Sequence, residues 1–398
     1  MLQISRRAAQ IAPSATLAID TRAKALKAEG KDVVGFGAGE PDFDTPEYVR
    51  AAAHRAIDEG RTRYTPVPGT LSLRKTIAEK FLKDNGLAYD VSQIIVSSGA
   101  KQSLFTALSV LVNDGDEVLI PSPYWVSYPE MVKMVGGTPV FVPCHHEDGF
   151  IVRPEEIEKR VTDRTRALIL NSPSNPNGCV IPRETLEKIA ALAVEKQFYV
   201  ISDEIYEKLI YDGCEHVSIA SLGEKIKEQT VVVNGASKAY AMTGWRIGYA
   251  AGPAKIIKAM SAFQSHAASN ANSIAQYATE AAISGEGKEV ADMVCAFDER
   301  RKLMCKLIND VPGLAADLPH GAFYMMMDLR GLLGKRCGET VIDSSNTFAS
   351  LLLEQKCVAV VPGEAFGAPG FARLSYAVGE EKIREGVRRM AEFVASLR

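Results

Sequence analysis

Between about Gln93 and Gly252, short apolar runs alternate with helical stretches, and this alternation most restricts what the chain can fold into. Ile94-Ile95-Val96-Ser97 precedes a helix expected from Lys101, and Glu117-Val118-Leu119-Ile120 stops at Pro121. Ala167-Leu168-Ile169-Leu170 runs into Asn171, and Phe198-Tyr199-Val200-Ile201 runs into Ser202-Asp203. Between these last two, a helix opened by Pro182 carries Leu186, Ile189, Ala190 and Ala193 on one face. Strands that are apolar throughout are covered on both faces, so an α/β fold with a mostly parallel sheet flanked by helices is expected. Ligands of such sheets bind beyond the carboxyl ends of the strands. That rule singles out Gly99, Tyr124, Asn175, Asp203 and Lys238.

After about Lys288 the pattern changes to a long charged helical region, an expected strand over Gly321-Ala322-Phe323-Tyr324-Met325-Met326-Met327, and a final amphipathic helix bearing Ile383, Val387, Met390 and Val394. The expected division is a large unit over 46–288 and a smaller α+β unit made of 1–45 with 289–398. The net charge of −3 shows no basic excess that would point to nucleic acid, and no apolar run is long enough to span a bilayer. No apolar stretch follows Arg6-Arg7, so no secretory signal and a cytoplasmic location are expected. The seven cysteines form no C-x-x-C pair and read as reduced, mostly buried thiols. No metal site is expected, since the adjacent His145 and His146 face apart on a strand and have no ligand-spaced partner.

Gly235-Ala236-Ser237-Lys238 follows the apolar run Thr230-Val231-Val232-Val233-Asn234, and Arg246 follows Lys238 by eight residues. A lysine on a small-residue turn at a strand end, with an arginine one short loop away, suits an amine that bonds to an aldehyde cofactor while a guanidinium grips its phosphate. Ser98-Gly99-Ala100-Lys101 joins a strand to a helix with small residues, which suits phosphate at a helix N-terminus. Asp203 can hold the nitrogen of a pyridine ring, with Tyr206 three residues on as donor to its phenolic oxygen. Taken alone, Asp203 reads more simply as a helix N-cap. Two prolines beside Asn175 restrict the backbone that aims its amide. Trp125 can stack on a planar ring, whereas Trp245 reads as a core residue. Arg373 alternates with apolar neighbours as on a strand and can grip a carboxylate with paired hydrogen bonds. Gly35-Phe36-Gly37-Ala38-Gly39 lacks the spacing and the following helix of a dinucleotide loop, so a nicotinamide cofactor is rejected.

In order and spacing these motifs resemble the fold-type I, class I aminotransferases, and the resemblance covers essentially the whole chain. Gly39-Glu40-Pro41-Asp42-Phe43-Asp44-Thr45-Pro46, Tyr64-Thr65-Pro66, Pro123-Tyr124-Trp125-Val126-Ser127-Tyr128 and the Lys238 segment are most similar to the bacterial Ib branch of aspartate aminotransferases. The resemblance implies a large domain with a mostly parallel seven-stranded sheet, a smaller α+β domain, and pyridoxal 5′-phosphate bonded to Lys238. It implies that Asp203 meets the ring nitrogen, that Tyr206 and Asn175 face the phenolic oxygen, and that Trp125 stacks on the ring. Gly99, Ala100, Lys101, Ser237 and Arg246 would surround the phosphate, with Tyr64 reaching it from the second subunit of a homodimer. Arg373, aided by Asn175 and the Gly39 backbone, would take the substrate α-carboxylate. Two departures stand out. Gly235 occupies a position where some relatives place a phosphate-binding serine, and Ala12 one where several have a lysine near the substrate side chain. Lys101 is then the cation expected to meet a distal carboxylate. The expected reaction is ping-pong transamination of L-aspartate with 2-oxoglutarate. Aromatic amino acids, alanine or prephenate as substrates, and a lyase on the same scaffold, are the alternatives. A cofactor-binding transcription regulator is disfavoured, because no helix-turn-helix segment precedes the domain.

Overall fold

The computed structural model describes residues 4–12 and 15–398. Pro13 and Ser14, which follow the Ala12 departure, lie outside the described residues. β1 (Val34–Gly35) comes first. The main sheet contains β2 (Ile94–Ser97), β3 (Glu117–Ser122), β4 (Thr138–Pro143), β5 (Thr165–Asn171), β6 (Tyr199–Asp203), β7 (Thr230–Gly235) and β8 (Gly248–Ala251). They lie in the order β2-β8-β7-β6-β5-β3-β4, with β8 antiparallel to both neighbours and the other pairs parallel. β3 leads outward to β4 while β5 starts back on its other side, so the winding reverses between β3 and β5. That is where an open α/β sheet forms a crevice.

Each expected strand is found, and side-chain alternation within it decides which layer a residue joins. Val118 and Ile120 of β3 and Ala167 and Ile169 of β5 pack under the helices Ala100–Leu111 and Ala254–Ala267. Leu119, Leu168 and Leu170 face the opposite layer, against Leu186, Ile189, Ala190 and Ala193 of the helix Arg183–Lys196. The helix expected from Lys101 starts one residue earlier, with Gly99 as its N-cap.

The remaining strands are β9 (Ala315–Ala316), β10 (Tyr324–Asp328), β11 (Arg336–Cys337), β12 (Thr340–Val341), β13 (Val358–Ala359), β14 (Val361–Pro362) and β15 (Phe371–Ser375). β14-β15-β10-β9 form a second, antiparallel sheet, and β1 pairs in parallel with β13. The strand expected from Gly321 begins at Tyr324, because Gly321 instead bridges to Ile210 beyond β6. The final helix, Glu380–Ala395, buries Ile383, Val387, Met390 and Val394 as expected. They share one core with Met293, Phe297, Met304 and Ile308 of the helix Lys288–Asn309. Phe36, Ile205, Tyr206, Leu209 and Tyr211 enter the same core, so the segment after β6 is packed between the two sheets.

Two expectations are corrected. All seven cysteines are free thiols, but six are half-buried and Cys295 is exposed, so the set is not mostly buried. Burial still pushes the Cys144 and Cys179 thiols up to about 12. Trp245 is half-buried rather than a core residue, because its indole N–H must reach Thr45 Oγ1, at 2.9 Å.

Phe36 is fully buried and ties the N-terminal strand to the final helix. Phe36→Ala is expected to cost about 3–5 kcal/mol. A clearly lower melting temperature in a calorimetric scan checks it.

Candidate active site

Beyond the carboxyl edge of the main sheet lies a cleft of about 490 Å³. Gly39, Ala100, Lys101, Trp125, Asn175, Asp203, Tyr206, Ser237, Lys238, Arg246 and Arg373, all singled out in the sequence, line it together. Gly99 lies directly against Arg246. Tyr124, also singled out, stacks on Phe141 instead of lining the cleft, and Tyr64 lies outside it as well. Tyr64 is 91% exposed.

At one end, Gly99 opens the helix Ala100–Leu111 with a left-handed φ of 88°. A Cβ there would lie 2.3 Å from Arg246 Nη2, so only glycine lets the guanidinium rest on the helix N-terminus. The guanidinium is anchored by Nη1 donating to the Thr243 carbonyl at 2.8 Å. Amide donors, helix dipole and guanidinium together suit a phosphate dianion. The nearby Lys101 ammonium sits 4.8 Å from the centre of the Trp125 ring. Burial and Arg246 lower its pKa. At Gly235 a Cβ would lie 2.9 Å from the Ile247 carbonyl oxygen and 3.0 Å from Gly248 Cα. A side chain there would crowd the close approach of β7 to β8, while Ser237 two residues on lines the cleft.

In the middle, Asp203 ends β6 and is 4% exposed. No helix follows it, so the N-cap reading does not hold. The chain makes a turn instead, with Glu207 N–H bonded to the Glu204 carbonyl at 3.0 Å and Leu209 N–H to the Tyr206 carbonyl at 2.8 Å. Burial raises the Asp203 carboxyl to about 6, against the pull of a Tyr128 hydroxyl that donates to Oδ2 at 2.7 Å. Tyr206, buried with its hydroxyl 3.1 Å from that of Tyr324, has its pKa pushed well up by burial and by this neighbour, and stays a neutral donor. Lys238 donates to the Gly39 carbonyl. Burial pulls its ammonium down to about 8, helped by Arg373 and Arg246 and opposed by Glu40 and Asp203. An amine in that range is partly neutral near physiological pH and is therefore nucleophilic.

At the other end, Arg373 on β15 is 3% exposed. Its guanidinium lies between the rings of Tyr324 and Phe366, 4.4 and 4.9 Å from their centres. Nη1 donates to Asn175 Oδ1 and Nη2 to the Gly37 carbonyl, both at 2.9 Å, and the buried Nε has no partner among the described residues. Asn175 is fixed in turn by its N–H bonding to Asn171 Oδ1 at 2.8 Å, while Asn171 Nδ2 donates to the Asp203 carbonyl at 2.9 Å. Tyr128, Asn171, Tyr324 and Lys24 were not singled out in the sequence, yet all four line the cleft. For Asn171 a signal was present, its place at a strand end. For the others it was not, because a tyrosine or lysine on a helix or strand reads as packing or surface.

A buried carboxylate, a depressed lysine, and a phosphate-type cradle fit a phosphorylated pyridine aldehyde and define the class as a fold-type I cofactor enzyme. The model of aminotransferase class I and II matches residues 31–390. The chain is 46% identical over 393 residues to an aspartate aminotransferase of Bacillus subtilis, covering 99% of each. It is 46% identical over 399 residues to an aspartate/prephenate aminotransferase of Cereibacter sphaeroides, covering both completely. The solved aspartate aminotransferase of Thermus thermophilus with maleate superposes with a TM-score of 0.93 at 45% identity, covering 99% of this chain and 100% of that one. The chain belongs to the class I and II aminotransferases and depends on pyridoxal phosphate. Among the described residues, no helix is long and apolar enough to cross a membrane.

Since the folded carboxyl of Asp203 titrates near 6 rather than 3.8, ionising it costs stability as pH rises between those values. Asp203→Asn is expected to stabilise the cofactor-free protein above pH ~6 by up to about 3 kcal/mol, with the gain fading towards pH ~4. Melting temperatures of both proteins across this range test the sign.

Proposed function

We propose that the enzyme transfers the amino group of L-aspartate to 2-oxoglutarate in two half-reactions of ping-pong order, at the cleft built around Lys238. The observation that carries this reading is one cleft holding a depressed lysine, a buried carboxylate and a buried, partly unpaired arginine. The chemistry pyridoxal phosphate supplies when bound is an electron sink for the charge left at the substrate α-carbon. Lys238 would hold the cofactor covalently, and its free amine would take up the proton at the substrate α-carbon. Asp203 keeps the ring nitrogen protonated, steadied by Tyr128. Tyr206 and Asn175 donate to the phenolic oxygen, and Trp125 covers the ring face. Ala100, Lys101, Ser237 and Arg246 hold the phosphate, with Gly99 leaving room for it.

Arg373 takes the α-carboxylate. Its guanidinium is already oriented by Asn175 and the Gly37 carbonyl, so little ordering remains to be done on binding. Lys101 meets the distal carboxylate, and Ala12 brings no charge to that end. A relative solved with maleate, a four-carbon dicarboxylate like aspartate, supports a dicarboxylic substrate. We further propose a cytoplasmic homodimer in which the partner subunit's Tyr64 completes the phosphate site. The high exposure of this tyrosine supports the dimer, and seven free thiols suit a reducing compartment. The same reading divides the chain into a large unit, 46–288, and a small one of 1–45 with 289–398. Separate hydrophobic cores around the two sheets support this division.

Lys238→Ala is expected to lower turnover of aspartate with 2-oxoglutarate by at least ~10²–10⁴-fold, the contribution of a positioned proton carrier. Unchanged turnover would refute the assignment. Arg373→Ala is expected to lower kcat/KM for aspartate by about 10²-fold through loss of charge-assisted hydrogen bonds, each worth about 1.5–3 kcal/mol. Steady-state kinetics with both substrates varied measure it.

A further inference from the structure

The end of β6 and the turn after it present two sets of side chains. Asp203 and Tyr206 line the cleft. The residues that follow each of them, Glu204 and Glu207, are 1% and 9% exposed and enter a buried ionic cluster. Glu204 Oε1 accepts from the Ser202 and Ser218 hydroxyls at 2.9 and 2.7 Å, and Oε2 lies 3.0 Å from His216 Nε2. Glu207 is ion-paired with Lys80 and accepts from Asn85 Nδ2 at 3.0 Å. Lys80 and Asn85 belong to the helix Leu71–Asn85, and Lys80 Nζ also donates to Asn85 Oδ1 at 2.8 Å. Glu204, Glu207 and His216 offer ligand-type atoms within 4.8 Å of one another, but the Lys80 ammonium already supplies a cation there.

A buried ion cluster is a weak source of net stability, because desolvation offsets most of the attraction. What it does supply is geometry. Asp203 stands on the last rung of β6, but the turn beyond it has no hydrogen-bond ladder to aim Tyr206 at the same ring. We infer that the Glu204–His216 and Glu207–Lys80 pairs are the device that holds the turn, and with it Tyr206, in register with Asp203 and the cofactor ring. Glu204, Glu207, Lys80 and His216 are thus positioning residues. The inference rests on the roles proposed for Asp203 and Tyr206. The pairs tether the turn from outside the cleft, one to the helix Leu71–Asn85 and the other to the loop that carries His216 and Ser218. The backbone adds one fixed point between them, Glu204 N–H to the Val233 carbonyl at 2.8 Å.

The test uses the holoenzyme and compares Glu207→Gln, the paired variant Lys80→Met/Glu207→Gln, and the direct variants Asp203→Asn and Tyr206→Phe. The paired variant leaves no lone buried charge, so it remains readable should the single variant fail to fold. Three quantities are read: the pH midpoint of the bound cofactor's visible absorption change, the dissociation constant of pyridoxal phosphate from the apoprotein, and the melting temperature. The expected result is a midpoint shift of about half a pH unit or more and about tenfold weaker cofactor binding in the Glu207 variants, as is typical when an outer partner of a site is lost. A lower melting temperature with an unchanged midpoint and unchanged cofactor affinity would overturn the inference and leave the pairs merely structural. If Asp203→Asn and Tyr206→Phe also leave both cofactor readouts unchanged, the roles proposed for those two residues fail instead.

Discussion

Much of this structure depends on burying one carboxylate at the end of β6. Asp203 is shut away from water, and burial raises its carboxyl to about 6. A lone anion in that position is costly. The surroundings reduce the cost without removing it: the Tyr128 hydroxyl, the Ile205 amide at 3.3 Å, and the distant positive charge of Lys238. A cationic ring nitrogen is the partner that would complete the compensation. The cofactor-free site therefore holds its carboxylate at a higher free energy than a bound pyridinium would allow, and that difference favours cofactor binding.

Around that carboxylate, the two sheets divide the work. The main sheet brings Asn171 and Asp203 side by side in register, and Asp203 beside Val233, three positions before Ala236. The cleft-lining Asn171 and Asp203 thus stand on rigid strand ends. Arg373 comes from the antiparallel sheet, paired with Met326 on one side and Val361 on the other. Its guanidinium nonetheless reaches Asn175, on the turn after β5, and Gly37, beyond β1. The buried arginine and the buried carboxylate therefore come from different cores, joined where Ile205, Tyr206, Leu209 and Tyr211 pack between them. The fully buried Arg301 reinforces that join, donating to Asp212 Oδ1 at 2.6 Å and to the Pro319 carbonyl at 2.8 Å.

Elements with a strong apolar signal were legible residue by residue. Thr230–Gly235 is buried along its whole length and reads as an interior strand from three consecutive valines. β8, by contrast, is Gly-Tyr-Ala-Ala, with no β-branched residue. Its antiparallel place between β2 and β7 is decided by the close approach that Gly235 and Gly248 permit, a pairing no local pattern announces. Asp203 alone looked like a helix cap, because a carboxylate after a strand commonly is one. The turn that replaces the helix meets Lys80 and Gly321, both remote in sequence, and His216 in the loop that follows.

By itself, the sequence determined the layered α/β class, the strand ends where chemistry gathers, and the set of groups for a phosphorylated aldehyde cofactor. These follow from local periodicity and from short spacings along single turns. Only the tertiary structure decided that the Arg373 guanidinium would lie against two aromatic rings, that Tyr128 would steady Asp203, and that Glu204 and Glu207 would face a buried imidazole and a buried ammonium. Most of these join residues tens of positions or more than a hundred apart. Their energies come from burial, which changes the charge state and reach of a side chain only after the layers have closed over it.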